Sequence, residues 1–175
     1  MSVPDTFEGV ANVVFDNLPK RSRVDFVTDT YNETSIKSLE RKRRGTSPGF
    51  LLSVAKTKTP RDWKGFLTNN ENKTHLLKLL LDQCTTDNYA LRLKDRMIYF
   101  VFGERCYRLT SHDGMTTNVV SEDSLFSAQE EADTRIILHS LHVTEVRTSY
   151  GYGCSSAPCH ILDANWLFDW LTLNR

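Results

Sequence analysis

From Arg96 the chain runs Met-Ile-Tyr-Phe-Val-Phe to position 102, and this apolar run constrains the fold more than any other stretch. It shows no alternation between apolar and polar residues, so the strand it forms has to be covered on both faces. That is the habit of a strand inside a layered α/β sheet. Gly103-Glu104 follows, with glycine in the first place of a two-residue hairpin turn. The chain then returns through Cys106-Tyr107-Arg108-Leu109. Val24–Thr28 alternates and ends on Asp29, which predicts a short strand finishing on an acid, and Thr116–Val120 predicts a further one.

Helical patterns are interleaved with these strands. Phe7, Val10, Ala11, Val14 and Phe15 recur at helical spacing up to Pro19. Thr59-Pro60 has the form of an N-cap followed by proline at the first helical position, with Trp63, Phe66 and Leu67 on the inner face. Asn69–Asn72 breaks that helix, and a second one runs to Gln83 with leucines nearly all round, as a core helix has. Interleaving of this kind predicts the α/β class. Phe50–Val54 fits a strand or a packed segment equally well. After Val146 the composition becomes that of a loop, with a brief strand at Ile161–Asp163 and a closing helix over Asn165–Leu173.

Three places carry candidate chemistry. Ser127 followed three residues later by Glu130 matches a capping box, so a helix is expected to begin there. Ile136, Ile137, Leu138 and Leu141 then give it an apolar stripe that must dock. Its first turn gathers Glu130, Glu131 and Asp133. The helix dipole favours acids at that end, which accounts for Glu130 and Glu131 better than for Asp133. Asp29, at the carboxyl end of a strand, lies where α/β folds bind ligands, although Asp29-Thr30-Tyr31-Asn32 is also ordinary turn chemistry. Ser35-Ile36-Lys37 through Arg41-Lys42-Arg43-Arg44 reads as a short helix ending in cations. Such a cluster suits a helix C-terminus and also takes phosphate oxygens. Cys154, Cys159 and His160 are soft ligands, but their spacing matches no standard zinc pattern and lacks an evident fourth ligand, so zinc is not expected.

Composition narrows the classes. At 175 residues one domain is the natural expectation. Lysine plus arginine and aspartate plus glutamate both number 22, which excludes a uniformly basic coat but leaves room for a local basic patch. No apolar run approaches the roughly 20 residues of a membrane span. Met-Ser-Val-Pro-Asp lacks the pattern of a signal peptide. The four cysteines are therefore expected to be reduced thiols in an intracellular protein, nuclear or cytoplasmic, with no membrane partner.

Several stretches together resemble a family of mostly invertebrate proteins of uncharacterised function. They are Phe15-Asp-Asn-Leu-Pro through Val24-Asp-Phe-Val-Thr-Asp29, then Ser35-Ile-Lys37 with Arg41-Lys-Arg43-Arg44-Gly45, Asp62-Trp63-Lys-Gly-Phe66-Leu, Glu71-Asn-Lys73-Thr and Gln129-Glu-Glu-Ala-Asp133-Thr-Arg-Ile136. The resemblance covers residues 10–145. That family is distantly similar to the PIN-like superfamily of flap endonucleases and 5′-exoribonucleases. There a strand ends in Asp, a helix follows with Lys and paired Arg, and a later helix opens acid-small-acid.

The resemblance implies a PIN-like, Rossmann-like three-layer fold with a mostly parallel central sheet over residues 1–146, and a divergent C-terminal tail over 147–175. It implies metal-dependent phosphodiester cleavage, with Asp29, Glu131 and Asp133 as catalytic and metal-binding carboxylates for Mg²⁺ or Mn²⁺. Lys37, Arg41, Lys42, Arg43 and Arg44 would grip DNA or RNA phosphates. The chain departs from the superfamily in two places. It lacks a further convincing Asp on the first strand. Where an Asp-x-Asp pair belongs it has the Tyr150–Cys159 loop and then a single acid, Asp163. The expectation is therefore a degenerate or inactive nuclease-like domain; the alternative is a non-catalytic nucleic-acid-binding or protein-interaction domain of α/β fold.

Overall fold

The computed structural model describes residues 3–30, 49–50, 54–149, 159–165 and 167–169. These fall into two compact units, each formed from separate parts of the chain.

The first unit is helical. α1 (Phe7–Asn17) buries Phe7, Val10, Ala11, Val14 and Phe15, which is the stripe its spacing predicts. α2 (Trp63–Thr68) begins later than expected, because Asp62 rather than Thr59 is its N-cap. The Asp62 carboxylate accepts from the Gly65 N–H at 2.9 Å, while the Thr59 hydroxyl is turned to the Pro4 carbonyl. α3 (Asn70–Cys84) follows after the single residue Asn69, so the predicted break over Asn69–Asn72 is shorter than expected. Asn69 serves both helices: its N–H closes on the Phe66 carbonyl, and its side-chain oxygen accepts from the Glu71 N–H. Asn72 is buried inside α3 yet satisfied, donating to the Phe66 carbonyl and accepting from the Phe50 N–H. The aromatic centre is Phe7, Phe50, Trp63 and Phe66, with Trp63 stacked on Phe66 at 5.0 Å.

The second unit is α/β and carries the sheet. Its elements are β1 (Arg23–Val27), α4 (Ala90–Leu93), β2 (Met97–Phe102), β3 (Arg105–Thr110), β4 (Asn118–Ser121), α5 (Ala132–Ser149) and β5 (Cys159–Asp163). The strand order is β4-β3-β2-β1-β5. β1 is parallel to both β2 and β5, whereas β2–β3 and β3–β4 are antiparallel, so the sheet is mixed and its parallel pairings centre on β1. The antiparallel side follows from the tight turn. Gly103 has φ 59°, a conformation open to glycine at the first position of such a hairpin, and β2 therefore doubles straight back into β3.

β5 lies in the region that composition set apart as a tail, and it is longer than the Ile161–Asp163 stretch expected. It pairs with the whole of β1, Arg23 opposite Cys159 and Val27 opposite Asp163. Asn165 and Leu167–Asp169 beyond it are helical, within the closing helix expected there. β1 starts one residue before the expected Val24–Thr28 stretch and is buried along its entire length. Among the described residues no helix is long and apolar enough to cross a membrane.

Candidate functional site at the carboxyl end of the parallel strands

β1 is flanked by parallel neighbours on both sides, so the order of the chain reverses there. In α/β sheets the crevice beyond the carboxyl ends at such a reversal is where ligands bind. Asp29 lies two residues past β1 and Asp163 is the last residue of β5. Asn165 joins them, its side-chain N–H group lying 3.1 Å from Asp29 Oδ2 and 3.4 Å from Asp163 Oδ2. The backbone N–H of Asn165 donates to Asp163 Oδ1 at 2.8 Å, and that of Ala164 to the Val27 carbonyl at 2.7 Å, which seats this corner on β1.

The other Asp29 oxygen caps a helix from a distance. Ala132 N–H donates to Asp29 Oδ1 at 2.8 Å, and Ala132 opens α5. The helix therefore begins later than the Ser127–Glu130 capping box predicts. The Ser127 hydroxyl instead accepts from the Gln129 N–H, and the residues before Ala132 are not helical. Arg135 fixes that arrangement. Its guanidinium is 1% exposed and donates to the carbonyls of Gln129 at 2.8 Å, Ser127 at 2.8 Å and Gly103 at 2.5 Å. The carbonyls of Ser127 and Gln129 are thus answered by a side chain in a segment that is not helical. Thr30 completes the junction, its N–H donating to the Glu130 carbonyl and its hydroxyl to Gly103.

Glu131 is exposed just before α5 and Asp133 is exposed in its first turn. The expected carboxylates thus share one end of the sheet with Asp29. Asp29 itself is engaged at both oxygens. Its donor set is of the hard-oxygen kind that Mg²⁺ or Mn²⁺ takes. Even so, no group of three or more His, Cys, Asp or Glu side chains able to hold a metal ion occurs among the described residues.

Lys37, Arg41, Lys42, Arg43 and Arg44, together with Cys154, lie outside the described residues. Cys159 and His160 are consecutive on β5 and therefore point to opposite faces of the sheet. Cys84 and Cys106 are buried thiols. Burial raises Cys84 well above the ordinary value, and burial with the Asp25 and Glu122 charges pushes Cys106 up to about 12. Neither is a thiolate near neutral pH, which leaves them structural.

The sequence reading missed a buried ionic cluster beneath α5. Arg23 and Asp25 point to the same face of β1 and form a two-pronged pair, with Nε to Oδ1 and Nη2 to Oδ2 both at 2.7 Å. His139 Nδ1 lies 2.7 Å from Asp25 Oδ2, and Arg23 Nη2 lies 3.1 Å from His142 Nδ1. The Arg23 guanidinium also sits 3.9 Å over the Tyr99 ring. Burial works against the Asp25 charge, but hydrogen bonds from Arg23 and His139 outweigh it and hold the carboxyl below its usual range. Burial likewise opposes the Arg23 charge, and Asp25 outweighs it in turn.

The fold defines an α/β domain with a mixed five-stranded sheet, with Asp29 and Asp163 together at the carboxyl ends of β1 and β5. No protein-family model, no curated protein and no solved structure matches the chain.

Proposed function

We propose that the chain is a divergent PIN-like domain that keeps the nucleic-acid-binding frame of that superfamily without its phosphodiesterase activity. One observation carries this reading. Asp29, the acid expected to anchor a catalytic ion, spends one oxygen capping α5 through Ala132 and the other on the Asn165 amide. Cleavage by such a site needs carboxylates free to hold ions that activate water and stabilise the leaving oxygen. Withdrawing the Asp29 carboxylate to a metal ion would leave the Ala132 N–H at the start of α5 without its acceptor.

The placement of the acids supports the superfamily reading in its coarser outline: an acid after β1, acids at the head of α5 and an acid at the end of β5. Binding is then left to the cations of Lys37 and Arg41–Arg44, which would contact phosphates without choosing sequence and with a steep dependence on salt.

Two assays on the full chain test the proposal. Incubation of labelled single-stranded and duplex RNA and DNA with Mn²⁺ is expected to give no cleavage above background. Cleavage that Asp29→Asn abolishes would overturn it. In a binding titration, replacing Arg41, Arg43 and Arg44 by alanine should weaken affinity uniformly across sequences and flatten the salt slope. Unchanged binding would remove nucleic acid as the partner.

A further inference from the structure

We infer that Arg23, Asp25, His139 and His142 form a pH-sensitive latch that holds the later turns of α5 on the sheet and releases them on acidification. The argument begins from hydrogen-bond roles. A guanidinium only donates, so the 3.1 Å contact from Arg23 Nη2 makes His142 Nδ1 an acceptor and leaves that nitrogen without a proton. An ionised carboxylate only accepts, so the 2.7 Å contact to Asp25 makes His139 Nδ1 the donor. The other ring nitrogen of His139, Nε2, is buried with no hydrogen-bond partner among the described residues. A proton on His142 turns its Nδ1 into a second donor facing Arg23 and adds a positive charge beside the guanidinium, under the helix.

Other groups face this cluster from every neighbouring element. Tyr99 lies on β2, with its ring 5.8 Å from the His142 ring; Cys106 and Arg108 are on β3, Glu122 follows β4, and Cys159 on β5 has its sulfur 3.8 Å from Asp25 Oδ1. Arg108 is paired with Glu122 at 3.5 Å. For His142, burial and then Arg23, with a smaller push from His139, disfavour the protonated ring, and together they prevail over the opposite pull of Glu122 and Asp25. The folded value therefore lies below the ordinary 6.5. The unfolded chain takes up the proton first as pH falls. Stability from this contact is complete above 6.5 and declines below it, through the folded value.

The two ends of α5 respond differently. Ala132 is held by Asp29, and Arg135 carries a charge that does not titrate in this range, so the first turns stay fixed. At His142 the helix is tied to β1 through an imidazole nitrogen that must stay unprotonated to accept from Arg23.

Hydrogen exchange on the full chain between about pH 7.5 and about pH 5.5, corrected for intrinsic exchange, tests the latch. Wild type should lose protection in α5 from His142 onward while the first turn keeps its own, and His142→Gln should remove the pH dependence. A flat wild-type profile, or an unchanged slope in His142→Gln, overturns the inference. Imidazole ¹⁵N NMR of the wild type needs no variant. An unprotonated His142 Nδ1 that titrates below 6.5 supports the latch, and a protonated Nδ1 or a titration at or above 6.5 overturns it.

Discussion

Asp25 has no exposed surface and Arg23 is 7% exposed, so their pairing is a condition for burying either. Truncating one partner strands the other charge in the interior, which typically costs about 3–5 kcal/mol. Asp25→Ala is therefore expected to lose about that much in urea unfolding. A double variant, Arg23→Met with Asp25→Leu, should lose clearly less, because apolar residues of similar bulk leave no orphaned charge. Equal losses in the two proteins would show that the pair is not what the site depends on. None of this was legible in the sequence. Arg23, Asp25 and Val27 share a face, and charges on alternate residues read as the wet side of a strand. The partners that reverse this reading, His139 and His142, lie more than a hundred positions away in the chain.

At the scale of the element, α5 departs from its apolar pattern for the same reason. Ile136, Ile137, Leu138 and Leu141 predicted the docked stripe, yet Ile137 is 62% and Leu141 58% exposed. The fully buried face is Ala132, Arg135 and His139, with Ile136 and Leu138 packed beside it against Val27, Tyr99, Val101 and Cys106. Helix rotation was set by polar anchors that a count of apolar residues cannot weigh. Lysine at Ile137 should accordingly change stability by no more than about 0.5 kcal/mol, whereas lysine at Ile136 should be severely destabilising. The cap makes a separate expectation. Asp29→Ala removes the acceptor for Ala132 and should cost about 1 kcal/mol in thermal or urea unfolding, with Asp29→Asn closer to wild type because an oxygen acceptor remains. By contrast, α1, α3 and the β2–β3 hairpin were readable, since their signals are local: spacing, a leucine-rich surface and a glycine-led turn.

For the molecule as a whole, the informative strand is β5. Loop composition hid it, because Cys159–Asp163 has few residues and its pairing partner is β1 at the other end of the chain. The division at residue 146 cuts β5 away from the sheet it completes. A fragment of residues 1–146 would leave β1 as an open edge and uncover Asp25 on the side of Ile161. It is expected to lack near-ultraviolet circular dichroism and to self-associate on size exclusion. A monomeric fragment that unfolds cooperatively would show that β5 is dispensable. The candidate site was partly legible: Asp29, Glu131 and Asp133 were singled out, although spacing alone reads them as turn and helix-cap residues and only the resemblance makes them a site, while Asp163 was passed over as isolated and Asn165 gave no signal. What joins Asp29 to Asp163 is an amide two residues beyond the last strand, and its role exists only once β1 and β5 lie side by side.

The buried pair on β1 has a further consequence for how the sheet finds its alignment. Successive side chains on a strand point to opposite faces, so a slip of one residue would turn Arg23 and Asp25 away from His139 and His142. They would instead point to the face that carries Val24 and Phe26, which pair with Ile98 and Phe100. Purely apolar strands tolerate such slips at modest cost, but a charged pair without partners does not. β1 thus carries its own check on alignment: only one offset against β2 and β5 places its ions where they are answered, and misaligned chains come apart and try again.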